Sequence, residues 1–307
     1  KGDFFMKILG IDTSSKRCTV CILEDNNMII ELHSDDEKTH SQTLMPLIDE
    51  MFKKTDLSLK DIDMLACCVG PGSFTGVRIG ISTAKAFADV YNFKTFGVSS
   101  LEGLAYNIKE EISLLHTSSA AKTGSSPENS KDCKDYTSQS ISLIICSLID
   151  AKNENVYYGL FDENYNKIEE LSTCSIDDLI DKLKKLNKPI AFVGDGALAY
   201  KEKLEQHLCK NSNNFSEINL ENNLETSSKN STSSNNSNNS KDSNLSAYFF
   251  EGEKNLASSI SIAKFAYNKY VNFENSTAQV QDFNSSLSPM YLRKSQAERS
   301  LEERKDN

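Results

Sequence analysis

No uninterrupted apolar stretch in the 307-residue sequence approaches the length of a membrane span, so a helical membrane anchor is excluded as its organising feature. The N-terminus also lacks the long apolar core and small-residue cleavage pattern of a secretion signal, and the expectation is a cytoplasmic protein that contacts no membrane. Positive charge is in deficit: 34 Lys and Arg stand against 44 Asp and Glu, a formal net charge of −10. Phosphate-binding surfaces draw their affinity from clustered cations, so any RNA role is expected to be indirect. The one cationic cluster, Lys182, Lys184, Lys185 and Lys188, reads as the solvated face of a helix and its exit. Histidine is scarce, and the four present, His33, His40, His116 and His207, are scattered. His40, just ahead of the first helix, reads as a capping or interface residue rather than a base.

A disulfide framework is absent as well, although cysteine is not. Of eight cysteines, Cys67, Cys68 and Cys146 lie in apolar, strand-like runs that suit reduced, packed thiols. Cys18 and Cys21 form a CxxC, but the alternation from Cys18 to Leu23 reads as a strand, on which residues three apart point to opposite faces. With no second cysteine pair nearby, zinc is not expected.

What the chain does carry is Gly70-Pro-Gly-Ser-Phe-Thr-Gly-Val-Arg-Ile-Gly80, placed after the apolar run Met64 to Val69 and opening a helix rich in small residues. Gly70, Gly72 and Gly76 permit positive φ or close backbone approach, and Pro71 pins the turn. The segment is neither of the two familiar phosphate loops, because Val77 and Arg78 follow Gly76 where a P-loop has Lys-Ser/Thr, and the glycines run GxGxxxG. The helix from Gly76 to Asn92 places Val77, Ile81, Ala84, Ala88 and Tyr91 on one stripe. Within it Gly80, Ala84 and Ala88 form a column of small residues. That column suits packing inside the molecule first and a helix–helix interface with another chain second.

Two stretches do not read as folded: Thr117 to Ser140, and Asn211 to Asn244, in which Asn and Ser make up 22 of 34 residues. Neither offers enough apolar surface to offset the entropy of ordering, and both are expected to be flexible insertions. Lys1 to Phe5 precede Met6 and read as an extension. Elsewhere strands are expected at Lys7–Ile11, Arg17–Leu23 and Met28–His33, then a helix in Ser41–Lys54 that Pro46 starts near Thr43 or bends. A strand at Thr95–Val98 and a helix over Ser99–Glu110, capped by Ser99 or Ser100, complete the first half. Beyond the first insertion a hairpin pairs Ile141–Ile149 with Val156–Phe161, repeating the strand opening of the first half. A helix at Ile176–Leu186, a strand at Pro189–Val193 ending in Gly194-Asp-Gly196, a helix at Ser258–Asn272 and a terminal strand or arm at Pro289–Lys294 follow. The layout is α/β and duplicated.

Met6-Lys-Ile-Leu-Gly-Ile-Asp-Thr-Ser14, His40-Ser-Gln-Thr-Leu-Met-Pro-Leu-Ile48, the glycine segment, Asp150-Ala-Lys-Asn-Glu-Asn-Val-Tyr157 and Pro289-Met-Tyr-Leu-Arg-Lys294 together resemble the YeaZ-like TsaB family. This is the dimerisation subunit of the bacterial tRNA threonylcarbamoyladenosine (t6A) machinery. The resemblance runs in order through nearly all of the folded sequence. It implies a duplicated actin-like, Hsp70-like (ASKHA, ribonuclease H-like) fold with lobes at 6–116 and 141–307. It also implies pairing with the catalytic paralogue TsaD and the ATPase TsaE, a homodimer in isolation, and indirect service to threonylcarbamoylation of adenosine in tRNAs that read ANN codons. ATP is then used by the partners, with none bound firmly here. The catalytic paralogue carries a metal-binding His-x-x-x-His on the helix after the strand that matches Thr95–Val98. The matching positions here are Ser100 and Leu104, a poor ligand and a non-ligand, so neither a metal nor a catalytic residue is expected.

A subunit without chemistry must act by contact. The two helices flanking the glycine turn are the expected partner surface, with Leu44, Leu47, Ile48 and Met51 on one and Gly76, Gly80, Ala84 and Ala88 on the other. Each helix must also cover its own sheet. Asp12 and Thr13, at the end of the first strand, with Gly194, Asp195 and Gly196, mark where an actin-like fold would hold a residual nucleotide. The alternative, which we prefer, is that both turns survive as scaffold. Two other functions compete: an actin-fold ATPase or kinase, which needs a base and a firm adenosine site in the second half, and a metallopeptidase-like (M22-type) protein, which needs a metal.

Overall fold

The structure, a computed structural model, describes residues 5–34, 39–114, 143–208, 215–218, 246–274 and 287–293. The expected insertion at 117–140, most of that at 211–244 and the start of the N-terminal extension lie outside them. The first sheet contains β1 (Lys7–Asp12), β2 (Cys18–Glu24), β3 (Asn27–Ser34), β4 (Met64–Cys68) and β5 (Lys94–Val98) in the order β3-β2-β1-β4-β5. β1, β2 and β3 form an antiparallel meander, and β4 and β5 add in parallel. The second sheet repeats that plan with β6 (Ile144–Asp150), β7 (Asn155–Phe161), β8 (Ser172–Ser175), β9 (Ile190–Val193) and β11 (Ala247–Phe250), and places β10 (Phe215–Ile218) outside β11. β10 falls inside the segment expected to lack structure, where it satisfies the backbone of the β11 edge in parallel register.

The helices follow the same duplication. α1 (His40–Thr55), α2 (Phe74–Tyr91) and α3 (Ser100–Tyr106) in the first half correspond to α4 (Ile176–Leu186), the pair α5 (Asp195–Ala199) and α6 (Lys201–Leu208), and α7 (Ser259–Glu274) in the second. Strand alternation decides which core each residue enters. On β2 and β4, Cys21 and Cys68 face the core between the sheets, whereas Cys18 and Cys67 face the outer core under α1 and α2. The cysteines with described surroundings are free thiols. α3 and α7 lie between the two sheets, so Leu101 and Ile262 share one core with Val98 of the first sheet and Ile145 of the second. The result is a duplicated, actin-like two-lobed fold.

Local chemistry sets the ends. Ser73 accepts from the Gly76 amide at 3.1 Å and starts α2 at Phe74, two residues ahead of the expected Gly76. Ser99 and Glu102 form a capping box on α3, which ends at Tyr106; a further helical stretch occupies 109–114. α1 runs from His40 straight through Pro46, whose ring lies on the exposed side. Pro289–Arg293 is an irregular arm rather than a strand.

Candidate functional site

β1 and β6 hold equivalent central places in the two sheets, and each ends in an aspartate that turns back on its own loop. Asp12 Oδ1 accepts from the Ser14 amide at 2.8 Å, and Asp150 Oδ1 accepts from the Lys152 amide at 2.9 Å. These two turns face a cavity of about 610 Å³ between the lobes, walled by Phe74, Leu104, Ile149, Tyr157 and Leu256. Asp195, at the start of α5, lines it too and accepts from the Asp150 amide at 3.1 Å. Burial raises Asp12 above the usual carboxylate value, against opposing bonds from Ser14 and Cys68, and burial likewise raises Asp195. For Asp150, burial works upward but is outweighed by bonds from the Lys152 ammonium and amide, so its carboxyl sits lower than usual. Lys152 Nζ lies 2.5 Å from Asp150 Oδ2, while Arg17 pairs with Glu253.

Successive backbone N–H groups in a turn can form a nest that holds phosphate. Here the Ser14 and Lys152 amides already donate to the aspartates of their own turns. Of the residues expected at a residual nucleotide site, Asp12 and Asp195 line the cavity. Thr13 turns away, its hydroxyl donating to the Gly76 carbonyl at 2.7 Å, and the Gly194 amide donates to Asn255 Oδ1 at 2.8 Å. Gly194 has φ 109°, and Gly196 is buried in α5 against the end of β6. Asp150 and Lys152 were not expected at the site. Their signal was the duplication itself, because Asp150 closes its strand as Asp12 closes the first.

The glycine turn packs onto the first of these loops. The Ser73 amide donates to the Ser14 carbonyl at 2.7 Å, and His40 Nε2 pairs with the Ser15 carbonyl at 2.7 Å. A β-carbon at Gly76 would run into the Thr13 carbonyl and the His40 ring, which is why glycine is required there. His40 is the first residue of α1, not its cap, which is Thr39. Ser100 donates to the Pro71 carbonyl at 2.7 Å and touches Cys68 Sγ at 3.1 Å, and Leu104 is buried in the core between the sheets. Both positions that would ligate a metal in the paralogue are thus engaged in packing. Among the described residues no group of three or more His, Cys, Asp and Glu is arranged to hold a metal ion.

The small-residue column and the α1 stripe belong inside the lobe. Leu44, Leu47, Ile48 and Met51 are buried with Val77, Ile81 and Ala84 in the outer core of the first sheet, Gly76 and Gly80 are buried against Thr13, and Ala88 packs half-buried beside them. In the isolated chain these side chains cover their own sheet and are not a free contact surface. What α1 and α2 turn outward is a groove of about 460 Å³ that includes His40, Met45, Thr75, Arg78, Ile79 and Ser82. Met45 is 49% exposed.

Comparison with known proteins agrees with this architecture. A family profile described as "TsaD: tRNA N6-adenosine threonylcarbamoyltransferase" matches residues 33–123. The Haemophilus influenzae "tRNA threonylcarbamoyladenosine biosynthesis protein TsaB" is 30% identical over 217 residues, covering 66% of this chain and 78% of that protein. The Bacillus subtilis protein of the same description is 28% identical over 206 residues, covering 66% and 77%. The crystal structure of YeaZ from Pseudomonas aeruginosa superposes with a TM-score of 0.56 at 17% identity, covering 94% of this chain and all of that one. Identity at this level over more than three-quarters of the Haemophilus protein settles the family: the chain belongs to the TsaB family of tRNA threonylcarbamoyladenosine biosynthesis proteins.

Proposed function

We propose that this chain is a non-catalytic scaffold and activator that pairs with a TsaD-type transferase, and with the TsaE-type ATPase, in making t6A. The observation that carries the reading is the pair of self-bonded aspartate turns, Asp12 with the Ser14 amide and Asp150 with the Lys152 amide. Together they take up two backbone N–H groups that a phosphate in the cleft would otherwise draw on, which supports a cleft without phosphoryl chemistry. The packing roles of Ser100 and Leu104 support the same conclusion for metal chemistry. Contact is then the remaining means of action. The groove on the outer side of α1 and α2, with exposed Met45 and half-buried Ile79 amid polar neighbours, has the apolar centre and polar rim of a protein-binding patch. With a net charge of −10, tRNA is held by the partners. In isolation the same groove pairs two copies of this chain.

Reconstitution tests the reading. With threonylcarbamoyl-adenylate and tRNA, the chain alone should give no modified nucleoside, and adding it to the TsaD-type partner should raise modification. Modification by this chain without the partner, or stoichiometric iron or zinc in the purified protein, would overturn it.

A further inference from the structure

We infer that Leu287–Arg293 is a latch across the mouth of the cleft, whose hold on the second lobe is set from the groove side of α2. Seven residues cross from one lobe to the other. Leu287 is buried in the outer core of the first lobe, and the Met290 amide donates to the Val69 carbonyl at 2.7 Å. The Tyr291 ring stacks on Phe74 with centroids 4.9 Å apart and planes 9° from parallel, and Arg78 Nε donates to its hydroxyl at 2.7 Å. Two residues on, Arg293 Nη1 donates to the Ala151 carbonyl of the second lobe at 2.8 Å. Phe74 and Ala151 line the cleft, whereas Arg78 lines the groove. Contacts therefore run from the groove, through Tyr291 and the arm, to the far lip of the cleft.

The lip is built to need that hold. Lys152, Asn153 and Glu154 have φ of 65°, 54° and 57°, three successive left-handed residues with no glycine among them, a conformation L-residues adopt at a cost. Within the turn the Ala151 amide donates to the Asn155 carbonyl at 2.9 Å and the Asn155 amide to the Lys152 carbonyl at 3.1 Å; from outside it the Ile176 amide donates to the Glu154 carbonyl at 2.8 Å and Arg293 to the Ala151 carbonyl. Tyr291 is 46% exposed, so its seat on Phe74 and Arg78 is shallow and releasable. A strained lip held by a shallow arm is a two-state element, and the state of Arg78 biases it. The latch does not depend on the groove being a partner surface.

Amide hydrogen exchange in the full chain tests this. Exchange at 151–155 is read against α4, which cancels any global loss of stability. Arg293→Ala, Tyr291→Ala and Arg78→Ala should each speed exchange at 151–155 about tenfold relative to α4, the expected effect of losing one charge-assisted contact. Tyr291→Phe, which keeps the ring stack, should fall between these and the parent protein. Turn amides that keep their parent rate in Arg78→Ala and Tyr291→Ala would overturn the latch, because the described contacts of both side chains lie in the first lobe and the arm and reach the lip through Arg293. A response in Arg293→Ala alone would overturn it equally.

Discussion

Asp12 shows how one side chain can be required by a turn yet opposed by its own burial. Its carboxylate takes the Ser14 amide, but desolvation lifts it above the ordinary value of 3.8. The native state therefore holds its proton at pH values where the unfolded chain has lost it. Stability from this group falls as pH rises from the ordinary value to the raised one and stays low above that. Asp12→Asn keeps an oxygen for the Ser14 amide and does not titrate. Its melting temperature should exceed that of the parent protein at neutral pH, with the difference shrinking toward about pH 4. A variant less stable by the same margin throughout that range would show that the negative charge itself holds the turn. Gly76→Ala tests the opposite kind of constraint, since the added carbon meets a carbonyl rather than a flexible side chain. Thermal denaturation should show a loss of about 1–3 kcal/mol.

Among the elements, α2 separates what it does for its lobe from what it offers outside. Ala84 is fully buried in the outer core, while Ser82 on the same helix is exposed in the groove. Ala84→Arg should unfold the lobe or cost upward of about 2 kcal/mol, because it overpacks a core and buries a charge. Ser82→Arg should leave the circular dichroism spectrum and melting temperature unchanged within about 0.5 kcal/mol and still abolish co-purification with the TsaD-type partner. Retention of full affinity by Ser82→Arg would move the partner surface off this groove. α2 itself was legible from the stripe through Val77, Ile81 and Ala84. Its start was displaced by two residues because Ser73, not a glycine, caps it. β8, with the polar sequence Ser-Thr-Cys-Ser, gave no strand signal. Its pairing with β7 is imposed by the neighbouring edge.

At the scale of the molecule, the core between the sheets is shared. Leu101 of α3, fully buried, belongs to the first half of the chain yet shares one core with Ile145, Phe161 and Ala191 of the second. Leu101→Ala should cost about 2–5 kcal/mol and lower a single calorimetric transition for both lobes. Two separated transitions, with only the first shifted, would show that the lobes unfold independently.

The strands other than β8, β10 and β11, the alternation of Cys18 against Cys21, the helix stripes and the duplication were present in the sequence, because each depends on periodicity along a few neighbouring residues. So was the place of the glycine turn, since its backbone demands are local. What only the tertiary structure decided was which way each face points. The residues of α1 and α2 that looked like a contact surface are covered by their own sheet, since an amphipathic stripe carries no label for the partner that buries it. The same holds for the cleft. Whether the aspartates at the strand ends open toward a phosphate or close on their own amides, and whether the arm at Leu287–Arg293 reaches the second lobe, depends on distances between segments far apart in the chain. Local sequence contains no measure of these.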